Sequence, residues 1–200
     1  MGMDVLSVQG LRACLLCGGM SRRMGRDKSL LPHPQGGCWL SHSIGLCRRL
    51  DLPVDVVSSI PSHHQLASRF DGVACRSDPS PGQGPLAALS AVFGQEKVLA
   101  FLVLPVDMPW LESWALIQLI RAWQEQPSLA VVSHDSRQLQ PLFAIYPNDS
   151  IYREPLLRQL ADHRLSMHDW LGRVPYRVLA LPMGPLRNVN CPSDLATLEE

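Results

Sequence analysis

The chain has 200 residues, 46% of them hydrophobic, and its 18 basic residues balance its 18 acidic ones. A chain of this size buries roughly 70% of its unfolded surface on folding, so disorder is excluded and one domain is expected over 1–200. Zero net charge excludes a global field for nucleic acid or an anionic membrane, and no apolar run reaches the ~20 residues that span a bilayer, so any polyanion site is local.

The first ten residues lack a basic leader with an apolar h-region, and Leu6 stands where a myristoylation signal wants Ser or Thr, so a cytoplasmic protein is expected. Leu11 to Leu16 is short, mostly apolar and bounded by Gly10 and Gly18, as a strand covered on both faces should be. After a loop, Leu40, Ile44, Cys47 and Leu50 recur at helical steps within 39–50, and Val54 to Val57 reads as a β-branched strand. A polar, histidine-containing segment of weak helical character leads to a small strand over 73–76. Residues 77–85 hold three prolines and two glycines, a stiff exposed loop, followed by a short helix over 86–93.

Residues 98–104 form the most apolar strand candidate and run into Pro105, Val106, Asp107, Met108 and Pro109. A helix over 113–125 presents Leu116, Leu119, Ile120 and Trp123 on one face, and a strand over 129–133 follows. Residues 140–146 alternate weakly and lack a crossover helix before them, which suggests an antiparallel strand. Helices over 151–161 and 166–172, a strand over 177–181 and a capped helix from Ser193 complete the order. Alternating strands and helices predict a mainly parallel twisted sheet with helices on both faces and ligands at the strands' carboxyl ends. That rim gathers the Gly18 loop, the 78–85 loop and Asp107.

The loop after the first strand changes from apolar to glycine to concentrated charge. Gly18, Gly19 and Gly25 permit close approach of a ligand to the backbone, and Arg22, Arg23, Arg26 and Lys28 place four cations within seven residues, opposed by Asp27 alone. The arrangement suits phosphate or a solvated basic surface. It is neither a Walker loop, because five residues separate Gly19 from Gly25 and two separate Gly25 from Lys28, nor a G-x-G-x-x-G turn.

Asp107, fixed between two prolines past a central strand, reads either as a ligand for Mg²⁺, which takes one or two carboxylates plus phosphate oxygens, or as a cap of the next helix. Asp78 either contacts a nucleotide or opens an Asx turn ahead of Pro79. Six scattered cysteines fit neither a zinc site nor a disulfide framework. Cys14 and Cys17 form C-x-x-C, which admits a thiol redox protein, but residues three apart on a strand face opposite ways. No Ser/His/Asp or Cys/His nucleophile arrangement stands out, and the seven histidines lack metal spacing. Nucleotidyl transfer needs neither: an acceptor phosphate monoester is already largely dianionic at neutral pH, and positioned cations stabilise the leaving pyrophosphate.

Five segments taken together resemble the molybdenum cofactor guanylyltransferases, within the wider nucleotidyltransferases acting on sugar phosphates. They are Leu16-Cys17-Gly18-Gly19, then Arg23-Met24-Gly25 with Asp27-Lys28, Asp78 with Gly84-Pro85-Leu86-Ala87, Asp107-Met108-Pro109, and Asn188-Val189-Asn190-Cys191-Pro192. The resemblance implies a Rossmann-like three-layer α/β/α sandwich of the nucleotide-diphospho-sugar transferase type, with a nucleotide side over 11–110 and an acceptor side over 135–192. It implies transfer of GMP from GTP to molybdenum-molybdopterin with Mg²⁺, releasing pyrophosphate, and onward contact with molybdoenzymes or other cofactor-biosynthesis proteins. It assigns Leu16, Cys17, Gly18, Gly19, Lys28, Asp78, Gly84, Pro85 and Asp107 to the nucleotide, Asp107 also to the metal, Arg23, Lys28 and Asp107 to catalysis, and Asn188 and Asn190 to the acceptor. Cys17 stands where members usually have Ala. Ser58 stands where many have Asn, and it offers fewer groups for reading a base edge. A related transferase using CTP, one acting on another phosphorylated small molecule, and a nucleotide-binding adaptor remain alternatives.

Overall fold

The computed structural model describes residues 8–18, 27–184, 186–189 and 194. Seven strands form one sheet: β1 (Leu11–Leu16), β2 (Val54–Val57), β3 (Val73–Arg76), β4 (Ala100–Pro105), β5 (Ala130–His134), β6 (Leu139–Pro147) and β7 (Tyr176–Ala180). Their spatial order is β3-β2-β1-β4-β6-β5-β7. Pairs β1–β2, β2–β3, β1–β4 and β5–β7 are parallel, whereas β6 runs antiparallel to both β4 and β5. The expected antiparallel element therefore lies inside the sheet.

Helices cover both faces: α1 (Trp39–Arg48), α2 (Pro61–Ala67), α3 (Pro85–Ser90), α4 (Ser113–Glu125), α5 (Ser150–Ala161) and α6 (Met167–Leu171). The alternation of β4 explains the two layers. Ala100, Leu102 and Leu104 pack with Leu40, Ile44, Leu116 and Leu119 of α1 and α4, while Phe101 and Val103 pack with Leu86, Tyr152, Leu156 and Trp170 on the other side. Among the described residues no helix is long and apolar enough to cross a membrane.

Register sets the site. Leu16 pairs with Val57 and with Pro105, and Val57 pairs with Arg76, so β1 to β4 end level along one rim. The segments leaving that rim carry Gly18, Ser58, Asp78 and Asp107. Because β6 is antiparallel, it contributes its beginning to the same rim. A tight turn makes this reversal: Asp135 accepts from the N–H groups of Arg137 and Gln138, and Ser136 takes a positive φ of 70°.

On the opposite side of the sheet Asp55, fully buried, holds β1, β2 and β3 together. It accepts from Arg12 at 2.9 Å, from Arg76 at 2.8 Å and from Gln95 at 2.8 Å. The Arg12 and Arg76 side chains stay partly exposed, so the buried carboxylate is paired with cations that are not themselves fully buried.

Candidate active site

The rim holds two adjoining clefts. The first, of about 230 Å³, is walled by Leu16, Gly18, Lys28, Ile60 and His63. The second, of about 420 Å³, is walled by Met108, Gln138, Gln140, Met167, His168 and Asn188. Pro85, Pro105, Asp107 and Leu142 line both, so Asp107 stands where the two clefts meet.

Lys28 opens a single 3-10 turn, Lys28–Leu30, whose start is capped by Asp27 Oδ1 accepting from the Ser29 N–H at 3.0 Å. Its Nζ donates to the Val189 carbonyl at 2.8 Å and lies 3.8 Å from Asp107 Oδ2. The Val189 N–H in turn donates to the Asp107 carbonyl at 2.9 Å. Three of the five segments that carry the resemblance, those of Lys28, Asp107 and Val189, thus meet at one point. Val189 is anchored by a small apolar cluster with Leu31 and Trp39, against which Trp110 packs.

The Asp107 side chain retains 28% exposure. Burial pushes its carboxyl above the usual aspartate value, and the Lys28 charge opposes that shift without cancelling it. A divalent cation would offset the same cost. Among the described residues no group of three or more His, Cys, Asp or Glu forms a metal cage. One carboxylate beside an anion-sized cleft is the donor set that Mg²⁺ uses when phosphates and waters complete its shell, so the residues fit that ion.

Two histidines that sequence patterning did not single out hold the Asp107 loop. His33 Nε2 donates to the Pro109 carbonyl at 2.8 Å while its Nδ1 accepts from the Gln35 N–H, which defines the neutral tautomer. His42 stacks on His33 with ring centroids 3.8 Å apart and donates to the Leu111 carbonyl. Only the prolines were legible as restraints on this loop.

Asp78 opens the expected Asx turn and also lies beside the first cleft's wall. Its Oδ1 accepts from the Ser80 N–H, an Asx turn, while its Oδ2 faces Gly18, where an added Cβ would stand 3.6 Å away. Gly18 itself has no positive φ, so its lack of a side chain serves space in the cleft wall rather than backbone freedom. Gly84 is the reverse: its φ of 86° and ψ of −178° are open to glycine almost alone, and it delivers Pro85 to both clefts. Gly19, Arg23, Gly25 and Asn190 lie outside the described residues, as do Cys191, Pro192 and all of the expected terminal helix except Asp194.

Cys17 is fully buried, and its thiol packs into the α1/α4 layer, whereas Cys14 packs into the layer on the other face. Burial raises both thiols far above the usual cysteine value. They can neither meet nor ionise readily, which removes the redox alternative. Only the main chain of Cys17 is left to face the rim.

The polar set Gln138, Gln140, Ser166 and His168 was missed by sequence reading. The signal was present in the weak alternation at 140–146, but the strand's place between β4 and β5 was needed to bring its start to the site. The structure also reveals a Ser/His/Asp line absent from that reading. Ser58 Oγ lies 2.8 Å from His63 Nδ1, and His63 Nε2 lies 2.6 Å from Asp27 Oδ2. Ser58 is fully buried, and its Oγ accepts from the Ile60 N–H at 3.0 Å, so it is not a nucleophile open to a substrate.

With two clefts sharing one carboxylate established, the family model for the MobA-like NTP transferase domain matches residues 13–175. The chain belongs to this family. It is 37% identical over 194 residues to the "Probable molybdenum cofactor guanylyltransferase" of Rhodopirellula baltica, covering 92% of this chain and 90% of that relative. The protein of the same name from Trichormus variabilis is 29% identical over 202 residues, covering 96% and 92%. The crystal structure of molybdopterin-guanine dinucleotide biosynthesis protein A from Archaeoglobus fulgidus superposes with a TM-score of 0.72 at 21% identity, covering 94% of this chain and 96% of that one. That likeness extends the fold to nearly the whole chain.

Proposed function

We propose that this nucleotidyltransferase transfers GMP from GTP to molybdenum-bearing molybdopterin, giving the guanine dinucleotide form of the cofactor and pyrophosphate. The observation that carries the reading is the meeting of two clefts at Asp107. Transfer between two bound molecules requires the acceptor phosphate and the α-phosphorus to come within reach at a shared boundary. Identity of 37% with the Rhodopirellula baltica relative supports the choice of substrates.

GTP would occupy the cleft of Leu16, Gly18 and Lys28, with Asp78, Gly84 and Pro85 along its side, the Cys17 main chain at its floor and Gly19 in the adjoining loop. Lys28 and Arg23 would stabilise charge that develops on pyrophosphate as the bond between the α-phosphorus and the bridging oxygen breaks. Asp107 would hold Mg²⁺, which would supply positive charge to offset that of the phosphates. The acceptor would lie in the larger cleft, whose apolar walls and amides suit a flat heterocycle with hydrogen-bonding edges, with Asn188 and Asn190 beside it. This divides the chain into a nucleotide part over 11–110 and an acceptor part over 135–192. No general base is assigned, because the acceptor phosphate is already ionised at neutral pH. The reaction belongs to the cytoplasm, with the product passed to molybdoenzymes or to other cofactor-biosynthesis proteins.

A nucleotide panel tests the reading by pyrophosphate release with molybdopterin-bound molybdenum as acceptor. GTP should be the preferred donor. Equal or better turnover with CTP, or release that is independent of the acceptor, would overturn it.

A further inference from the structure

Asp27, His63 and Ser58 come from three separate segments, and no reading of the nucleotide cleft given so far uses them. Asp27 precedes the turn that carries Lys28. His63 belongs to α2, and Ser58 follows the last residue of β2 on the rim. The His63 ring is almost wholly buried, with 1% of its side chain exposed, yet it forms part of the nucleotide cleft's wall. A buried imidazole with both nitrogens engaged has one orientation.

A carboxylate can only accept, so His63 Nε2 donates to Asp27 Oδ2 at 2.6 Å, while Asp27 Oδ1 accepts from the Ser29 N–H. On the other side of the ring Nδ1 lies 2.8 Å from Ser58 Oγ, which also accepts from the Ile60 N–H. His64, the next residue, donates from Nε2 to the Ser58 carbonyl at 2.8 Å and binds α2 to the same strand end. Both oxygens of Asp27 are therefore committed to holding the Lys28 turn rather than to a metal. Burial opposes the ionisation of Asp27, but His63 and the Ser29 N–H hold its carboxyl below the usual value.

We infer that His63 is a positioning residue for nucleotidyl transfer: held by Ser58, it fixes Asp27 and through it the turn that aims Lys28 at the triphosphate. The relay ties the turn that carries Lys28 to the end of β2 through side chains. Glutamine at 63 can place its amide N–H near the position of Nε2 and keep the donor to Asp27. Alanine cannot, and it leaves Asp27 with a single partner.

The inference rests on the transferase reading, and the experiment separates the two. His63→Ala and His63→Gln are compared with the unaltered chain for pyrophosphate release and, independently, for binding of GTP with Mg²⁺ by titration calorimetry. A misplaced phosphate-binding group costs about 10- to 100-fold in rate, so His63→Ala should lose that much in kcat/KM for the nucleotide. Its KM for the molybdopterin acceptor should stay within about twofold, and His63→Gln should recover most of the loss, a pattern that general destabilisation does not produce. Thermal unfolding of both variants accounts for any change in the folded fraction. If His63→Ala binds and turns over GTP like the unaltered chain, or if acceptor KM shifts equally, the relay is wrong. If the unaltered chain binds GTP but releases no pyrophosphate, the transferase reading fails; the relay then stands or falls on whether GTP affinity drops in His63→Ala and returns in His63→Gln. An unaltered chain that binds no nucleotide overturns both.

Discussion

Lys28 Nζ stands 3.8 Å from Asp107 Oδ2, longer than a charge-assisted hydrogen bond, and a single residue, Val189, spans the gap by accepting from Lys28 and donating to the Asp107 carbonyl. Residues 161 positions apart in sequence thus set the spacing of a cation and an anion across a cleft. A closed ion pair would neutralise both groups. At 3.8 Å the two charges attract without a direct hydrogen bond between them.

This spacing predicts opposite effects on stability and activity at Asp107. Burial raises its carboxyl, so ionisation costs more in the folded chain than in the unfolded one, and that cost grows as pH rises from the ordinary aspartate value through the raised one. Asp107→Asn should therefore unfold at the same temperature as the unaltered chain or higher at neutral pH, while kcat falls by about 10²- to 10³-fold. Parallel melting curves and steady-state rates check it. A variant that loses both together would mean that Asp107 is structural.

Asp27 carries the other sign. Its folded value lies below the ordinary one, so its contribution is fully present above about pH 4 and is lost as pH falls through the depressed value. Asp135, held by the Gln138 and Arg137 N–H groups and the Gln140 amide against the cost of burial, acts in the same sense. Urea unfolding of the unaltered chain and Asp27→Asn should differ at neutral pH and converge as the pH falls from the ordinary aspartate value through the depressed one.

The Asp55 network should dominate single-site stability. Removing one partner of a buried pair costs about 3–5 kcal/mol, a large share of the 5–15 kcal/mol typical of a domain. Asp55→Ala should lose that much in a urea melt, and Asp55→Asn less. Because the network lies across the sheet from α1 and α4 and lines neither cleft, KM for both substrates should be preserved in the fraction that remains folded.

Thiol reactivity separates the cysteines without any assay of function. Cys14 and Cys17 are buried with raised thiols, and burial likewise pushes Cys47 up to about 12. Cys75 is exposed. Brief alkylation of the native chain near pH 8, followed by peptide mapping, should label Cys75 and spare those three, and Cys17→Ala should keep activity within a few-fold. Rapid modification of Cys17 would contradict its placement.

The legible part of the fold was the part that periodicity encodes. The helix over 113–125 and the strands over 54–57 and 73–76 have the expected bounds, because their apolar spacing is regular and their ends carry turn residues. Strand β6 was legible as antiparallel from the missing crossover helix, but its place between β4 and β5 follows from the Asp135 turn and from burial, neither of which a residue pattern records. The site divides the same way. Lys28 and Asp107 stood out by charge and setting and Asn188 through the family resemblance, and the structure sets them along two adjoining clefts. His63, Gln140 and His168 did not, because their meaning depends on which strand end or helix lies beside them.

The most direct test of the account is pyrophosphate release measured with GTP and CTP in turn, with molybdopterin-bound molybdenum and Mg²⁺ present, for the unaltered chain and for Asp107→Asn. The account predicts release that requires the acceptor, prefers GTP and is nearly abolished in the variant. Release without acceptor, a preference for CTP, or an undiminished rate in Asp107→Asn would contradict it.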